Sequence, residues 1–536
     1  MARPEVVERE LFTHRFTALA REMGERLRRT AVSTNVKERL DFSCALLDAE
    51  GRLVVNAPHI PVHLGALGLC VRRVMSVLPL APGEVAVTNH PAFGGSHLPD
   101  VTVIAPVYEG GVMGGRRASP QTGGDRAPPL LGWVASRAHH AEIGGTRPGS
   151  MPPGARCLAE EGVVIAPTYL VRRGEPQWPA LRRLLAGGRW PSRAVEENLA
   201  DLSAALAAVH RGVEGVQRLA AVHGGATVAH YMEALRRQAA ERLRAALGRL
   251  APGTYDAREE LDDGTPLAVT AEVGDGRLRL DFTGSGPVHP GNLNATPAVV
   301  RSVVLYVLRL LVDEPLPLNE GLLEPVELVV PEGILAPVFP DDPAAAPAVV
   351  GGNVETSQRL VDTLLRAFRL AACSQGTMNN LLFGNQRFGY YETVCGGAGA
   401  GPGFTGADAV HTHMTNTRIT DPEVLEHRYP VRLERFAVRR GSGGAGRWRG
   451  GDGAVRELRF LEPVALSLVS QHRRQGPYGM DGGAQGAPGR QRLVRADGSL
   501  EELAGIDARE AAAGDLLILE PPGGGGWGPP QRGGPR

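Results

Sequence analysis

Two short stretches gather residue types that hold ions and move protons. "GGSHLPDVTVIAPV", Gly94 to Val107, sets His97 and Asp100 three residues apart, just before an apolar run. Pro99 keeps Leu98 out of the helical region, so the segment is extended or turned, and the glycine pair lets backbone approach a ligand closely. "SRAHHAEIGG" then supplies His139, His140 and Glu142. An imidazole and a carboxylate at that spacing can face one ion, with a later histidine as third ligand. Such a set with open positions suits zinc, manganese or ferrous iron, which acidify water or hold an oxyanion. The same residues also read as a turn cap, a strand start and a polar pair, and spacing alone leaves both readings open. His59, His63 and His90 join His97 within thirty-nine positions of a chain holding 15 histidines. That clustering points to a polar cleft or to hydrogen-bonded core histidines.

Binding candidates follow. "GGNVETSQR" and "SQGTMNNLLFGN" bracket a helical pattern with short amides and hydroxyls beside glycines. Asn353, Thr356, Gln375 and Asn379 are the candidates to bind a polar small molecule through oriented dipoles; caps and turns favour the same residue types. In "HTHMTNTRITDPEVLE", Arg418 offers a bidentate fork for a carboxylate, whereas Asp421 with Pro422 reads as a helix start. The loop "CGGAGAGPGFTG" is a weak phosphate cradle. Among 58 basic residues Lys37 is the single lysine. It has no glycine-rich loop before it, so no phosphate-binding Gly-Lys-Ser/Thr exists and ATP chemistry is expected elsewhere.

The elements that must position these residues are helices and strands in several units, since 536 residues exceed one compact core. "DFSCALLDAEGRLVVNA" is a hairpin signal, and "PGEVAVTNHPAF", "DVTVIAPVY" and "LLGWVASRAHHAEIGG" each contain a strand. Glu109 to Pro129, rich in Gly, Pro and Arg, reads as a mobile surface insertion. Two long helical patterns follow, then a period-two antiparallel stretch, then glycine-rich loops and further strands. The expected class is mixed α/β (α+β), multi-domain, with glycine-rich loops forming the active-site cleft. The divisions are 1–190, an α/β region with the metal candidates; 191–255, a helical hairpin; 256–350, an antiparallel β/α region; 351–520, the substrate region with C-terminal strands; and 521–536, a flexible tail. Acidic and basic residues balance at 58 each, which leaves no excess to drive nucleic-acid binding. "ATPAVVRSVVLYVLRLLVDEPLPL" is interrupted by Arg301 and Arg309, so it reads as a buried helix and no membrane partner is expected. Five scattered cysteines and no signal-like N-terminal run fit a reduced cytoplasm.

Taken in order, "STNVKERLDFSCALLDAEGRLV", "IPVHLGAL", "GGSHLPDVTVIAPV", "ASRAHHAEIGGTRPGSMPP", "GGNVETSQRLVD", "SQGTMNN", "YYETVCGGAGAG", "HTHMTNTRITDPEVLE", "GSGGAGRWRGGDGAVRELRF" and "PPGGGGWG" resemble the hydantoinase B/oxoprolinase family over nearly the whole chain. The resemblance implies the B-type subunit of an ATP-dependent cyclic amidohydrolase acting on a hydantoin or 5-oxoproline. Its hetero-oligomeric partner would be an actin-like ATPase, the hydantoinase A-type subunit, which binds ATP and phosphorylates the substrate oxygen. Carboxylase relatives hold a metal through His-x-x-Asp and a later histidine. That places a divalent ion (Mn, Zn or Fe) on His97, Asp100 and His139 or His140, with His97, Asp100 and His140 as the catalytic set. Two departures stand out: Glu142 where relatives usually carry Asp, and His90 where they usually carry Asp. A carboxylase subunit and a non-catalytic scaffold for the ATPase are the alternatives.

Overall fold

The computed structural model describes residues 4–56, 60–110 and 128–530. His59 and residues 111–127, most of the expected surface insertion, lie outside the described residues. Strands β1 (Phe42–Leu47), β2 (Leu53–Asn56), β3 (Val85–Thr88), β4 (Asp100–Tyr108), β5 (Leu130–His139), β6 (Thr168–Arg172) and β7 (Glu175–Pro176) form one antiparallel sheet, ordered β2-β1-β5-β4-β3-β6-β7. The β1–β2 hairpin closes where its sequence signal lies. Asp48 accepts the Arg52 backbone N–H at 2.8 Å, and Gly51 takes a φ of +74°. Successive side chains of a strand face opposite sides. Leu46 packs with the N-terminal helix Glu5–Thr30 and the helix Val195–His223, while Ala45 and Leu47 pack with the helix Ala66–Val77. The central strands are therefore buried on both faces, which is why they read as continuous apolar runs.

A second sheet holds Gly253–Glu260, Pro266–Gly274 and Arg277–Asp281 in antiparallel order, with Val326–Val329 added in parallel. Its core is shared with the helices Pro297–Leu311 and Ser357–Ala367. Thr296 caps the first of these, accepting the Val299 N–H at 3.3 Å, an interaction worth about 1 kcal/mol. That helix is the most apolar run of the sequence and lies buried in this core. Among the described residues no helix is long and apolar enough to cross a membrane. The helix Ser357–Ala367 is preceded by a π-turn over Gly352–Thr356, where the sequence suggested plain helix. Gly352 is needed there, because a Cβ would meet the Asn294 carbonyl oxygen at 1.8 Å.

Two further sheets complete the mixed α/β architecture. One holds Asn380–Gly384, Gly389–Thr393, Val464–Val469 and Ile506–Ala511. The other holds Val431–Arg439, Gly453–Phe460, Leu516–Glu520, Arg490–Val494 and Leu500–Glu502. A buried bidentate pair ties them, Arg456 donating to Glu392 at 2.6 and 3.0 Å. The glycine runs pack against one another: Gly451 N–H donates to the Ala398 carbonyl at 2.8 Å, Gly524 N–H to Gly451 at 2.9 Å, and Gly444 N–H to Gly524 at 2.8 Å. The segment expected as a flexible tail, 521–536, begins inside this packing. Residues 521–528 are buried in the bundle, their backbone amides replacing side chains as the packing surface, and 531–536 lie outside the described residues.

Candidate active site

Register builds the centre of the site. In the β4–β5 ladder Asp100 stands directly opposite His139, so the start of one strand and the end of the other present a carboxylate and an imidazole together. The turn before β4 returns His97 to the same point, with the Asp100 N–H donating to the His97 carbonyl at 3.2 Å. Gly94 (φ +86°) allows that turn, since a Cβ there would lie 2.7 Å from the Cys70 backbone. His97, Asp100 and His139 each bring one donor atom within 4.8 Å of the others. His63 joins them: its Nε2 meets Asp100 Oδ2 at 3.1 Å and its Nδ1 meets Ser43 Oγ at 3.1 Å. The Ser96 hydroxyl donates to the same Oδ2 at 2.5 Å.

What is left unpaired defines the chemistry. His97 Nε2, His139 Nε2 and Asp100 Oδ1 have no hydrogen-bond partner, although the three residues are at most 2% exposed. Buried polar atoms are nearly always paired, and orphaned atoms on three residues that each bring a donor within 4.8 Å of the others fit a bound cation. Burial alone would push the Asp100 carboxyl up, but His97 and His63 more than offset it and hold it well below the ordinary carboxylate range. Burial, helped by His97, pushes His139 well below the ordinary imidazole range, so its ring is neutral with a free lone pair. Asp41 lies beside it, its Oδ2 3.8 Å from His139 Nδ1. Burial raises Asp41 to about 6, opposed by the Arg39 charge.

A stack of rings fixes His139 from below. Tyr391 lies against it at 4.6 Å and 14°, and the Arg39 guanidinium covers Tyr391 at 4.7 Å. Arg39, fully buried, donates to the Tyr391 carbonyl at 2.6 Å. The Tyr391 hydroxyl donates to Asn380 Oδ1 at 2.9 Å, and Asn380 donates to Glu355 at 2.6 Å. The cavity over the cluster has a volume of about 20 Å³, room for a water-sized group, and Asn353, Val354, Met378 and Met414 are among its lining residues. A larger cleft lies at the β1–β2 turn, lined by Arg72, Arg301 and Glu320 among others. Its charges satisfy one another, Arg72 and Arg301 each meeting Glu320 at 2.8 Å, so it reads as an ion-pair network.

The structure sorts the remaining candidates. His140, expected among the catalytic residues, is not brought to the cluster: strand alternation turns it away, and its Nδ1 meets Asn198 Nδ2 at 3.1 Å. Glu142 fixes a loop, accepting from Gly144 at 2.6 Å, Gly149 at 2.9 Å and Arg193 at 3.1 Å. His90 caps a short turn by accepting the Ala92 N–H at 3.0 Å. Asn353 lines the cavity with Oδ1 unpartnered. Thr356, Gln375, Asn379 and Arg418 do not line it. Thr356 donates to the Leu293 carbonyl at 2.7 Å, and Gln375 and Asn379 pair with each other at 2.9 Å. Arg418 is exposed, and Asp421 caps the helix Pro422–Arg428. Asp41, Arg39 and Tyr391 escaped the sequence reading. Asp41 left one signal: it immediately precedes β1, whose neighbour in the sheet is β5.

A family model described as hydantoinase B/oxoprolinase matches residues 5–530. The 5-oxoprolinase 1 of Arabidopsis thaliana is 44% identical over 96% of this chain and 41% of its own length. The 5-oxoprolinase of Saccharomyces cerevisiae is 43% identical over 95% of this chain and 41% of its own. The chain thus spans about two-fifths of the length of these curated relatives. A Pseudomonas sp. (strain NS671) protein, provisionally named as the B-type subunit of a D-/L-hydantoinase, is 28% identical over 94% of this chain and 86% of its own length. Two solved structures share the fold. The ATP-dependent caprolactamase from Pseudomonas jessenii matches with a TM-score of 0.86 at 24% identity, over 98% of this chain and 92% of that one. An acetone carboxylase matches with a TM-score of 0.84 at 17% identity, over 98% of this chain and 76% of that one.

Proposed function

The chain belongs to the hydantoinase B/oxoprolinase family, and from that premise we propose that it is the ring-opening unit of an ATP-dependent cyclic amidohydrolase. The substrate is a five-membered cyclic amide. The 44% identity to a 5-oxoprolinase, against 28% to a hydantoinase component, favours 5-oxoproline over a hydantoin. The observation that carries the reading is the set of three buried, unpaired donor atoms on His97, Asp100 and His139.

An amide carbonyl is a poor electrophile, and phosphorylation of its oxygen turns that oxygen into a leaving group. ATP is assigned to an actin-like ATPase component, because Lys37 is exposed at the end of a short helix with no glycine loop before it. In this family the matched unit occurs both inside longer chains and as most of a shorter one. The ATPase is therefore a separate subunit or a further stretch of the same polypeptide. Two imidazoles and one carboxylate suit Mn, Zn or Fe in the divalent state, and such an ion supplies polarisation of an oxygen and acidification of water. His139, neutral through burial, offers its free nitrogen; Asp41 and Asp100 lie 3.8 and 3.7 Å from its other nitrogen, and the stacked Tyr391 ring holds its plane. Asn353 presents a carboxamide oxygen to the substrate's polar edge, while Met378 and Met414 exclude bulk water. A carboxylase reading draws support from likeness of fold alone.

Elemental analysis tests the assignment. Purified protein should carry close to one divalent ion per chain, and His97→Ala and Asp100→Ala should each lose most of it while keeping the wild-type circular dichroism. Equal metal in all three proteins would remove the basis of the proposal.

A further inference from the structure

The π-turn and the helix that follows it carry a second set of unsatisfied groups. Asn353 Oδ1, Gln358 Oε1 and Asp362 Oδ2 have no hydrogen-bond partner, although their residues are at most 3% exposed. Gln358 and Asp362 are four apart and share a helix face. The other half of each group shows what that face meets. Gln358 Nε2 donates to the Thr412 carbonyl at 3.0 Å, and Asp362 Oδ1 accepts from His413 Nε2 at 2.9 Å and from the Ser374 N–H at 3.0 Å. Each free oxygen shares its carbon with a paired atom, so both free oxygens lie on the seam between this helix and the 411–415 loop. Across that seam Thr412 Oγ1 and His413 Nδ1 are likewise unpartnered. The loop runs on to Met414 and Thr415, which line the cavity together with Asn353.

All the free atoms can accept: carboxylate and carboxamide oxygens do so only, the Thr412 hydroxyl accepts as well as donates, and a neutral histidine that donates through Nε2 keeps a lone pair on Nδ1. The Gln358 amide orientation follows from its bond to Thr412, which fixes the oxygen as the free end. Among the described residues no arginine or lysine pairs with Asp362. A buried acceptor row with a carboxylate in it is stabilised by a ligand that brings N–H donors, most of all a cationic one.

We propose that this seam is a subsite for the nitrogen side of the substrate, holding the ring N–H before opening and the ammonium that forms after it. The inference rests on the cavity being the ring-opening site, and extends it by assigning Gln358, Asp362 and His413 to recognition of nitrogen.

Calorimetric titration of the full chain tests it, with three probes: L-glutamate, which is ring-opened 5-oxoproline; glutarate, which lacks the amine; and methylammonium. L-Glutamate should bind roughly ten- to a hundredfold more tightly than glutarate, the span of one charge-assisted hydrogen bond. Asp362→Asn should abolish that preference and Gln358→Met should reduce it. Melting curves confirm folding, and Gln358→Met decides if Asp362→Asn fails to fold. Equal binding of L-glutamate and glutarate, a preference that survives both substitutions, or no binding of any probe overturns the proposal. Metal content of the same preparations separates the two readings. Retained metal with no amine preference removes the subsite and leaves the cavity, whereas absent metal removes the cavity reading itself.

Discussion

Buried carboxylates in this molecule divide by what faces them. Burial pushes Asp100 up, but two imidazoles outweigh that and leave it ionised. Glu161, at the end of the short helix Leu158–Glu161, meets the backbone N–H groups of Val349 and Val350 at 2.9 Å, and burial pushes it up to about 8. Glu355 is also raised to about 8, by burial above all, against hydrogen bonds from Thr377 and Met378. The two kinds act oppositely on stability. A carboxyl raised in the fold binds its proton more tightly there than in the unfolded chain. Its contribution is complete below its unfolded value of 4.5 and is lost as pH rises toward 8. Asp100, depressed in the fold, contributes above its unfolded value of 3.8 and loses that contribution as pH falls through its folded one. Stability to urea should therefore decline from about pH 5 to pH 8, with Glu161 supplying a part on the order of a few kcal/mol. Glu161→Gln keeps an acceptor oxygen for Val349 and Val350 but has no proton to lose, so its profile should be flatter over that interval. Superimposable slopes for the two proteins would show that Glu161 is not protonated in the fold.

At the scale of elements, what was legible followed from local pattern. The β1–β2 hairpin, β4, β5 and the helices on either side of Gly224 show in periodicity and turn residues, and the His97–Asp100 pair shows in spacing. The choice between His139 and His140 does not, because it turns on the register that sets Asp100 opposite His139. Arg39, Asp41 and Tyr391 were hidden for a related reason: Tyr391 lies in a different sheet, far along the chain, and reaches His139 through tertiary packing. The glycine runs misled for the opposite reason. A segment without side chains has little apolar surface of its own, yet several such segments pack backbone to backbone and satisfy one another's amides. The closeness of that packing predicts a stability effect. A Cβ at Gly524 would lie 1.9 Å from the Ala398 carbonyl oxygen, with backbone and not a movable side chain in the way. Gly524→Ala should destabilise the chain by roughly 3 kcal/mol or more, at the upper end of single-substitution effects. Gly498, where a Cβ meets open space, has its own φ of +88°, so Gly498→Ala should cost about 1 kcal/mol through backbone strain alone. Comparable midpoints for the two variants in thermal unfolding would mean the bundle yields where the structure has it rigid.

At the scale of the whole molecule, the site lies where separate sheets and loops converge. The residue before β1 is Asp41, β4 and β5 bring Asp100 and His139, the sheet containing Gly389–Thr393 brings Tyr391, and the π-turn brings Asn353. That gives a small, polar chamber at the residues that could hold a metal ion. Arginines can grip phosphate as well as lysine can, but Arg72, Arg236 and Arg301 of the cleft at the β1–β2 turn are already engaged by glutamates. The chain by itself should therefore release no phosphate from ATP above the uncatalysed background. Adding an actin-like ATPase component of the same family should produce release that depends on 5-oxoproline, is weaker or absent with hydantoin, and is unchanged by bicarbonate. The His97→Ala chain should still support the complex but uncouple it, so that ring-opened product falls well below the phosphate released. The measurement is parallel assay of phosphate and of free amine for each component and for the mixture. Strong ATP hydrolysis by this chain alone would put nucleotide chemistry in a fold that offers it no lysine loop, and bicarbonate-dependent turnover would move the chain to the carboxylases.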